Sequence, residues 1–312
     1  MPDLTVDLGF ARLRNPLIGA SGVFGVETGR ALDLSCLGAV VTKTQFVGKR
    51  PGNPLPRIAE TPAGALNSVG IPCLGAEHFI GTEWPLWRRV GCPVIVSVGG
   101  ETEGDYLEMV ERLEEVDGIA ALELNISCPN QEAGGMELGA DPRSVERLVR
   151  RVVERTTRPV IAKLTPNVTD LGEVARAAEA GGAAALCAIN TVLAMSLDVR
   201  QRASRLGSLR GGLSGPAIRP IAVRCVWEAA RATRLPIIGT GGVETAEDVL
   251  EFVLAGATAV GVGTAAFYDL GAVGRLPDQV ASLMSEIGVG RLDELRGRIQ
   301  PPAAGAVGAR AG

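Results

Sequence analysis

Eight short apolar segments recur along the chain, and each ends at glycine or at a polar residue. Most of them lack the alternation of apolar and polar residues that is typical of a strand with one solvent-exposed face. Continuous apolar runs of this length are typical of strands buried on both faces of a parallel sheet. The eight segments are Leu17–Ala20, Ala39–Val41, Pro93–Val98, Ala121–Ile126, Pro159–Leu164, Ala184–Ile189, Pro236–Ile238 and Ala259–Val262.

Segments with helical periodicity separate the predicted strands. In the segment that opens with Asp141 and Pro142, valine and leucine at positions 145, 148, 149 and 152 share one helix face, with arginines opposite. Strand and helix alternating eight times predict an α/β fold, a single (β/α)8 TIM barrel, with an open doubly wound sheet as the alternative. The other predicted helices are Glu101–Val116, Asp170–Ala180, Pro216–Thr233 and Thr245–Leu254.

Two intervals between predicted strands are longer than a strand–helix unit of about 30 residues requires. Gly48–Ile71 is rich in proline and glycine, and Ala194–Leu213 is rich in arginine. Both follow the carboxyl end of a predicted strand, so we expect them to form lids over the catalytic face of the barrel. We predict that the barrel occupies residues 1–300 and that residues 301–312, rich in alanine, glycine and proline, form a loose tail.

Composition and charge exclude several classes of protein. A net charge of −4 and an aromatic content of 4% argue against a nucleic-acid binder, which needs basic patches or stacking side chains. The amino terminus lacks the layout of a signal peptide, and glycine and polar residues interrupt the longest uncharged stretch, Ala180–Leu197. We therefore expect a cytoplasmic protein that binds neither nucleic acid nor membrane.

Cysteine and histidine are too sparse for most metal or hydrolase chemistry. The closest two of the six cysteines are 19 residues apart, so the chain has no C-x-x-C motif for zinc or for an iron–sulfur cluster. The single histidine, His78, would have to serve a Ser-His-Asp triad or a metal site alone. We predict no metal site and expect the cysteines to be reduced thiols.

Polar side chains collect at the ends of the predicted strands, where barrel enzymes carry their chemistry. No pair of carboxylates stands there, which disfavours glycosidase chemistry. Lysines could simply extend from the barrel mouth and asparagines could cap turns. Together with Asn67 in the first lid, however, they favour a planar ligand rich in amide groups. The strand-end residues are Ser21, Lys43, Thr44, Ser97, Asn125, Asn130, Lys163, Asn190 and Thr191.

Glycines follow the last two predicted strands, at Gly241, Gly242 and Gly263. Backbone N–H groups at these positions can close around a phosphate, although tight turns alone would leave the same pattern. Neither run is the G-x-G-x-x-G of a Rossmann dinucleotide site. The sequence therefore predicts a phosphorylated ligand bound after strands seven and eight.

Cys128 lies in a polar run directly after a predicted strand, whereas Cys36, Cys187 and Cys225 fit small buried apolar side chains. Because the other strand ends carry no histidine or carboxylate, Cys128 is the predicted general base. A thiol with an ordinary pKa of about 8.5 predicts activity that rises toward alkaline pH, unless Lys43 lowers that pKa.

Four motifs of the sequence belong together: Glu123–Asn130, Gly211–Ala217, Ile237–Asp248 and Ala20–Gly22. They resemble those of the class 1 dihydroorotate dehydrogenases, most closely the catalytic subunit of the NAD-linked class 1B enzymes. The similarity runs from about residue 3 to about residue 270, which is nearly the whole chain.

The resemblance implies a (β/α)8 barrel with one FMN at its mouth, which oxidises (S)-dihydroorotate to orotate in the de novo synthesis of pyrimidines and UMP. It implies that Cys128 takes the C5 proton while the C6 hydride passes to flavin N5; the membrane-linked class 2 enzymes carry serine at this position. The implied substrate-binding residues are Lys43, Asn67, Ser68, Val69, Gly70, Ile71, Asn125, Asn190 and Thr191. The implied FMN-binding residues are Ser21, Lys43, Thr44, Ser97, Asn125, Lys163, Ile189, Gly215, Gly241, Gly242, Gly263 and Thr264.

The sequence departs from the family pattern at two places. Ser97 stands where the family usually has asparagine, which could remove one hydrogen bond to the flavin. After Ile71 the family typically continues Gln-Asn-Pro-Gly, whereas this chain reads Pro72-Cys-Leu-Gly75. The lid next to the substrate, or a subunit contact made there, could differ accordingly.

Reduced FMN must be reoxidised, and the chain has neither a cysteine cluster nor a dinucleotide fingerprint for that purpose. The class 1B resemblance implies a separate subunit with FAD and a [2Fe–2S] cluster that reduces NAD+, joined to a homodimer of this chain in a heterotetramer. Three alternatives stay open: a fumarate-reducing enzyme like class 1A, an FMN enzyme like dihydropyrimidine dehydrogenase, and a non-redox barrel that binds a sugar phosphate.

Overall fold

The computed structural model describes residues 1–126 and 135–300. Its strands are β1 (Val6–Asp7), β2 (Arg12–Leu13), β3 (Leu17–Gly19), β4 (Ala39–Val41), β5 (Ile58–Thr61), β6 (Gly64–Asn67), β7 (Val94–Val98), β8 (Ala121–Asn125), β9 (Val160–Leu164), β10 (Ala185–Ala188), β11 (Val192–Ala194), β12 (Leu197–Asp198), β13 (Ala203–Ser204), β14 (Gly211–Ser214), β15 (Ile237–Thr240) and β16 (Ala259–Val262).

Eight of these strands form a closed parallel barrel in the order β3-β4-β7-β8-β9-β10-β15-β16. Each of the eight apolar segments of the sequence contributes one barrel strand, and their side chains are almost entirely buried. The last strand pairs with the first, with Val260 opposite Leu17, so the sheet has no open edge there. The predicted (β/α)8 barrel is confirmed, and the open doubly wound sheet is wrong.

Helices connect the barrel strands and cover them. They are α1 (Ala76–His78), α2 (Trp84–Trp87), α3 (Glu103–Glu114), α4 (Gly135–Ala140), α5 (Pro142–Val153), α6 (Leu171–Ala180), α7 (Arg219–Ala232), α8 (Ala246–Ala255), α9 (Ala265–Tyr268) and α10 (Leu270–Glu286). A π-helical turn, Phe79–Glu83, joins α1 to α2. Short 3-10 turns occur at Val26–Arg30, Leu34–Cys36, Pro216–Ile218 and Leu292–Glu294.

The helix starts follow the capping residues of the sequence. Asp141 and Asp170 accept hydrogen bonds from backbone N–H groups in the first turns of α5 and α6. Thr245 and Asp248 form a capping box at the start of α8. The apolar face of α5 is fully buried, as its periodicity predicts. The predicted helix over Pro216–Thr233 begins instead with a 3-10 turn, and α7 starts only at Arg219.

The two long insertions meet above the barrel and form one antiparallel sheet in the order β11-β14-β6-β5. Gly212 on β14 lies opposite Asn67 on β6, and β12 and β13 form a separate hairpin. A side chain at position 212 would place its Cβ 2.0 Å from Oγ1 of Thr191, so this close approach of strands requires glycine. We call this four-stranded sheet the lid sheet.

Two sequence predictions fall on residues for which the structure gives no description. Residues 127–134, with Cys128 and Asn130, lie outside the described part of the chain, and so does the predicted tail at 301–312.

Candidate active site

A cavity of about 480 Å³ opens at the carboxyl ends of the barrel strands, between them and the lid sheet. Seventeen of the predicted site residues line it: Ser21, Lys43, Thr44, Asn67, Val69, Gly70, Ile71, Asn125, Lys163, Ile189, Asn190, Thr191, Gly215, Gly241, Gly242, Gly263 and Thr264. These residues come from the first lid, from Gly215 just after the second lid, and from seven of the eight barrel strands or the segments that follow them. The structure therefore brings together residues that are up to 243 positions apart in sequence.

Side chains connect the barrel part of this cavity through a chain of hydrogen bonds. The Thr191 backbone N–H donates to Asn190 Oδ1 at 2.8 Å, and Asn190 Nδ2 donates to Asn125 Oδ1 at 3.3 Å. Asn125 Nδ2 donates to Thr44 Oγ1 at 2.9 Å, and the Thr44 hydroxyl lies 2.9 Å from Oγ of Ser97. Because each amide oxygen accepts from its neighbour, the chain fixes which way the two asparagine amides point.

Ser97 and Ser68 are predicted site residues that do not line the cavity. Ser97 is fully buried behind Thr44, and its backbone N–H donates to Thr42 Oγ1. Ser68 is turned away from the cavity because its hydroxyl accepts hydrogen bonds from Asn53 Nδ2 at 2.8 Å and from the Ser208 hydroxyl at 2.6 Å. Ser97 therefore supports the hydrogen-bond chain of Asn190, Asn125 and Thr44 from the side away from the cavity. A direct contact between this residue and FMN stays a prediction.

Glycines form a second part of the cavity wall, which we call the glycine wall: Gly215, Gly241, Gly242 and Gly263. Gly242 has a φ of +75°, and a Cβ there would lie 2.6 Å from the Gly215 carbonyl oxygen. At Gly263 the atoms nearest to an added Cβ are Ala20 Cβ at 3.6 Å and Val23 Cγ2 at 3.7 Å, so a Cβ would be in ordinary van der Waals contact there. Bare backbone after the last two barrel strands suits an anion such as a phosphate.

Lys43 is half-buried at the cavity, directly after β4. Burial lowers the pKa of its ammonium below the ordinary value, and the Glu83 carboxylate opposes that shift. Burial likewise raises the pKa of Glu83, whose Oε1 lies 3.7 Å from Nε2 of His78. Sequence reasoning missed Glu83 because it lies on the π-helical turn, for which the sequence carries no recognisable signal.

Lys163 forms a buried ion pair with Glu123 on the neighbouring strand, Nζ to Oε1 at 3.5 Å. Cys187, the register partner of Lys163 on β10, is completely buried. Burial first, and the Glu123 carboxylate second, raise the pKa of the Cys187 thiol to about 12. This thiol is therefore protonated at physiological pH, in keeping with the prediction that Cys187 is a small buried apolar residue.

Further residues line the cavity without having been predicted. They include Glu60 on β5 and three exposed apolar side chains at the rim, Ile58, Phe267 and Tyr268. Within residues 1–126 and 135–300, no three histidine, cysteine, aspartate or glutamate side chains are grouped to hold a metal ion. No helix in that part of the chain is long and apolar enough to cross a membrane.

Comparison with known proteins identifies the family. The profile of the dihydroorotate dehydrogenase family matches residues 3–284. The chain belongs to this family. A relative from Desulforudis audaxviator is 50% identical over 287 residues, which cover 91% of this chain and 94% of the relative. A relative from Geobacter sulfurreducens is 44% identical, and the matched residues cover 96% of this chain and 99% of the relative. One from Desulforamulus reducens is 46% identical, with 95% of this chain and 98% of the relative covered.

All three relatives are named dihydroorotate dehydrogenase B (NAD(+)), catalytic subunit. The resemblance to dihydroorotate dehydrogenases, closest to the NAD-linked catalytic subunits, is thus confirmed. Membership of the family also confirms the prediction of an oxidoreductase. The alternative of a non-redox barrel that binds a sugar phosphate is wrong.

Proposed function

We propose that this chain is an FMN-dependent catalytic subunit that oxidises (S)-dihydroorotate to orotate in de novo pyrimidine synthesis. The observation that carries the proposal is the cavity at the carboxyl ends of the strands in a dihydroorotate dehydrogenase barrel, which is lined by the glycine wall, two lysines and three asparagines. Amide and ammonium groups are what a planar ring with carbonyl oxygens and a carboxylate requires.

The residues present fit FMN. The cavity volume lies within the range of about 300–1,000 Å³ that is usual for ligand sites. In the proposal, the glycine wall and Thr264 hold the phosphate, and Ser21, Thr44, Ile189 and Lys163 hold the ring. FMN, when bound, supplies the acceptor for the hydride.

The substrate is proposed to bind against the amide side of the same cavity. Asn67 on the lid sheet donates from Nδ2 to the Gly212 carbonyl at 3.1 Å, which positions its amide at the mouth. Asn125 and Asn190 are oriented by their hydrogen-bond chain, and Lys43 offers a cation for the substrate carboxylate. Thr191 and the backbone of Val69, Gly70 and Ile71 complete the site.

Cys128 is proposed as the general base that removes the C5 proton. It follows Asn125, the last residue of β8, by three positions, and Asn125 lines the cavity. A base three positions further along the chain would be close to a substrate held by Asn125. In the described part of the cavity, Glu60 is the carboxylate that lines the wall, and it lies exposed on the lid.

Electrons are proposed to leave through a separate subunit that carries FAD and a [2Fe–2S] cluster and reduces NAD+. The names of the relatives, which include both NAD(+) and "catalytic subunit", support a partner of this kind. A homodimer of this chain joined by that subunit would form a heterotetramer, in the cytoplasm. The exposed apolar side chains at the cavity rim, Phe267 and Tyr268 among them, are compatible with an apolar interface.

The visible spectrum of the purified chain tests the proposal. We expect a yellow protein with an absorbance band at about 450 nm, as a bound flavin gives. The band should bleach when dihydroorotate is added in the absence of oxygen. The same chain should scarcely reduce NAD+ until the partner is supplied. A colourless protein would refute the proposal, rapid oxidation by fumarate would favour a class 1A activity, and tighter binding of uracil than of orotate would favour a dihydropyrimidine substrate.

A further inference from the structure

A carboxylate lies inside the barrel, beneath the floor of the cavity. Glu123 is on β8 with 1% of its side chain exposed, and it does not line the cavity. Lys163, on the neighbouring β9, does line it. In the register of the two strands, Glu123 pairs with Ile161 and Asn125 pairs with Lys163. The ion pair therefore runs upward from the barrel interior to the cavity floor.

Stability does not explain this pair. Removing a carboxylate from water costs several kcal/mol, which attraction to a cation offsets only when the remaining oxygen positions are also hydrogen-bonded. Oε1 of Glu123, the oxygen that lies 3.5 Å from Lys163 Nζ, accepts no hydrogen bond, so none reinforces the attraction between the two charges at this atom. Two apolar side chains of similar volume would be about as stable at these positions, or more so. A role for the acidic side chain of Glu123 therefore lies in its effect on Lys163.

We propose that Glu123 is a positioning residue, whose buried carboxylate fixes the Lys163 ammonium at the cavity floor and keeps it charged. A lysine in such surroundings without a counter-charge loses its proton more readily, because burial disfavours the charged form. The inference rests on the proposed function only for the identity of the ligand above Lys163.

Within residues 1–126 and 135–300, three other ionisable side chains lie close to Lys163 or line the same cavity, and none of them supplies a buried negative charge like that of Glu123. Cys187 faces the pair from β10, but its raised pKa leaves it a neutral thiol. Lys43 lines the same cavity and carries the same charge, so it works against a second ammonium. Glu60 also lines the cavity, yet it is exposed on the lid, where solvent weakens its influence.

A cation already in place has a clear chemical use. A ring that receives a hydride gains electron density, and a fixed charge beside it stabilises that density without reorganisation at the moment of reaction. Glu123 would hold Lys163 ready for this while the pair remains neutral overall in the resting enzyme.

The pH dependence of FMN binding tests the proposal, with Glu123→Gln as the variant, because glutamine keeps the shape and removes the charge. FMN dissociation from the holoenzyme should stay nearly constant in the wild type from about pH 7 to about pH 9.5. In Glu123→Gln the FMN Kd should rise by about tenfold or more over that range, as expected if the lysine pKa falls into it. Parallel pH profiles of the two proteins would overturn the proposal.

Cys225→Ala is a matched control. Cys225 is buried on α7 and does not line the cavity, so its truncation should lower the Tm without altering the pH profile of FMN binding. A changed profile in this control would mean that general loosening of the barrel produces the effect, and it would count against a specific role for Glu123.

A thermal unfolding cycle gives a readout that needs no cofactor. Lys163→Met leaves the Glu123 carboxylate buried and unpaired, so it should lower the Tm more than the double variant Glu123→Gln/Lys163→Met does. Additive losses would show that the two side chains are uncoupled and would refute the inference. A wild-type chain that binds no FMN would refute the proposed function. The unfolding cycle would still show whether Glu123 and Lys163 are energetically coupled.

Discussion

The cavity wall has two parts built on different principles. The glycine wall consists of backbone, and its shape depends on the absence of side chains at four positions. The other part, which we call the amide wall, consists of Asn67, Asn125 and Asn190, whose positions depend on hydrogen bonds to other groups. A substitution at the glycine wall should therefore act by filling space, whereas one at the amide wall should act by disturbing orientation.

The largest expected effect belongs to neither wall but to the proposed base, Cys128. Cys128→Ala should keep FMN and lose roughly 10²–10⁴-fold in the rate of flavin reduction by dihydroorotate, the range usual for a general base. Cys128→Ser should retain a small part of that rate. Stopped-flow reduction of the bound flavin measures both. If Glu60→Gln gave the loss and Cys128→Ala did not, the base would have to be reassigned to the lid.

Filling the glycine wall should abolish binding of the cofactor. Gly263→Val adds a branched side chain at a position without left-handed backbone, where an added Cβ meets protein atoms only at ordinary contact distance. The fold should therefore tolerate the substitution while FMN is excluded. The measurement is the FMN content of the purified protein, with Gly81→Val, an exposed glycine on the π-helical turn, as the control. A full complement of FMN in Gly263→Val would place the phosphate elsewhere.

Substitution of two serines that lie behind the cavity, Ser97 and Ser68, should distinguish what the barrel and the lid each contribute to ligand binding. Ser97→Ala removes the anchor of the Asn125 chain and should weaken both FMN and orotate binding by several-fold, in line with about 1 kcal/mol for one hydrogen bond. Ser68→Ala acts on the lid and should weaken orotate binding alone. Titration of each ligand into the two variants measures this, and identical patterns would contradict the separation.

The smallest expected effect is a change of KM with pH at Lys43. Because burial lowers the pKa of this lysine, its positive charge should be lost at a lower pH than that of an exposed lysine. The KM for dihydroorotate should then rise toward alkaline pH, and Lys43→Arg, which stays charged, should remove that rise. Initial rates from about pH 7 to about pH 10 decide it; a rise of equal size in both proteins would exclude Lys43 as its source.

The barrel and three of the four glycines of the glycine wall could be predicted because their signals are local, whereas Gly215 was implied only by the family resemblance. Apolar runs predict the strands, and the glycines after β15 and β16 follow in sequence directly after the strands that position them. The pairing of β6 with β14 could not be predicted, because neither segment shows which distant partner will complete it. The Glu123–Lys163 pair was missed for a similar reason: only strand register brings these two residues within 3.5 Å.

The lid sheet has a consequence for the order in which the molecule forms. Asn67 and Gly212 are register partners although 145 positions separate them, so their pairing requires a very large loop to close. Contacts of such high sequence separation form slowly in folding. During synthesis the first insertion would emerge well before the second, and the mouth of the barrel would stay uncovered until β14 arrived. Ligand affinity in this chain should therefore be among the last properties acquired during folding.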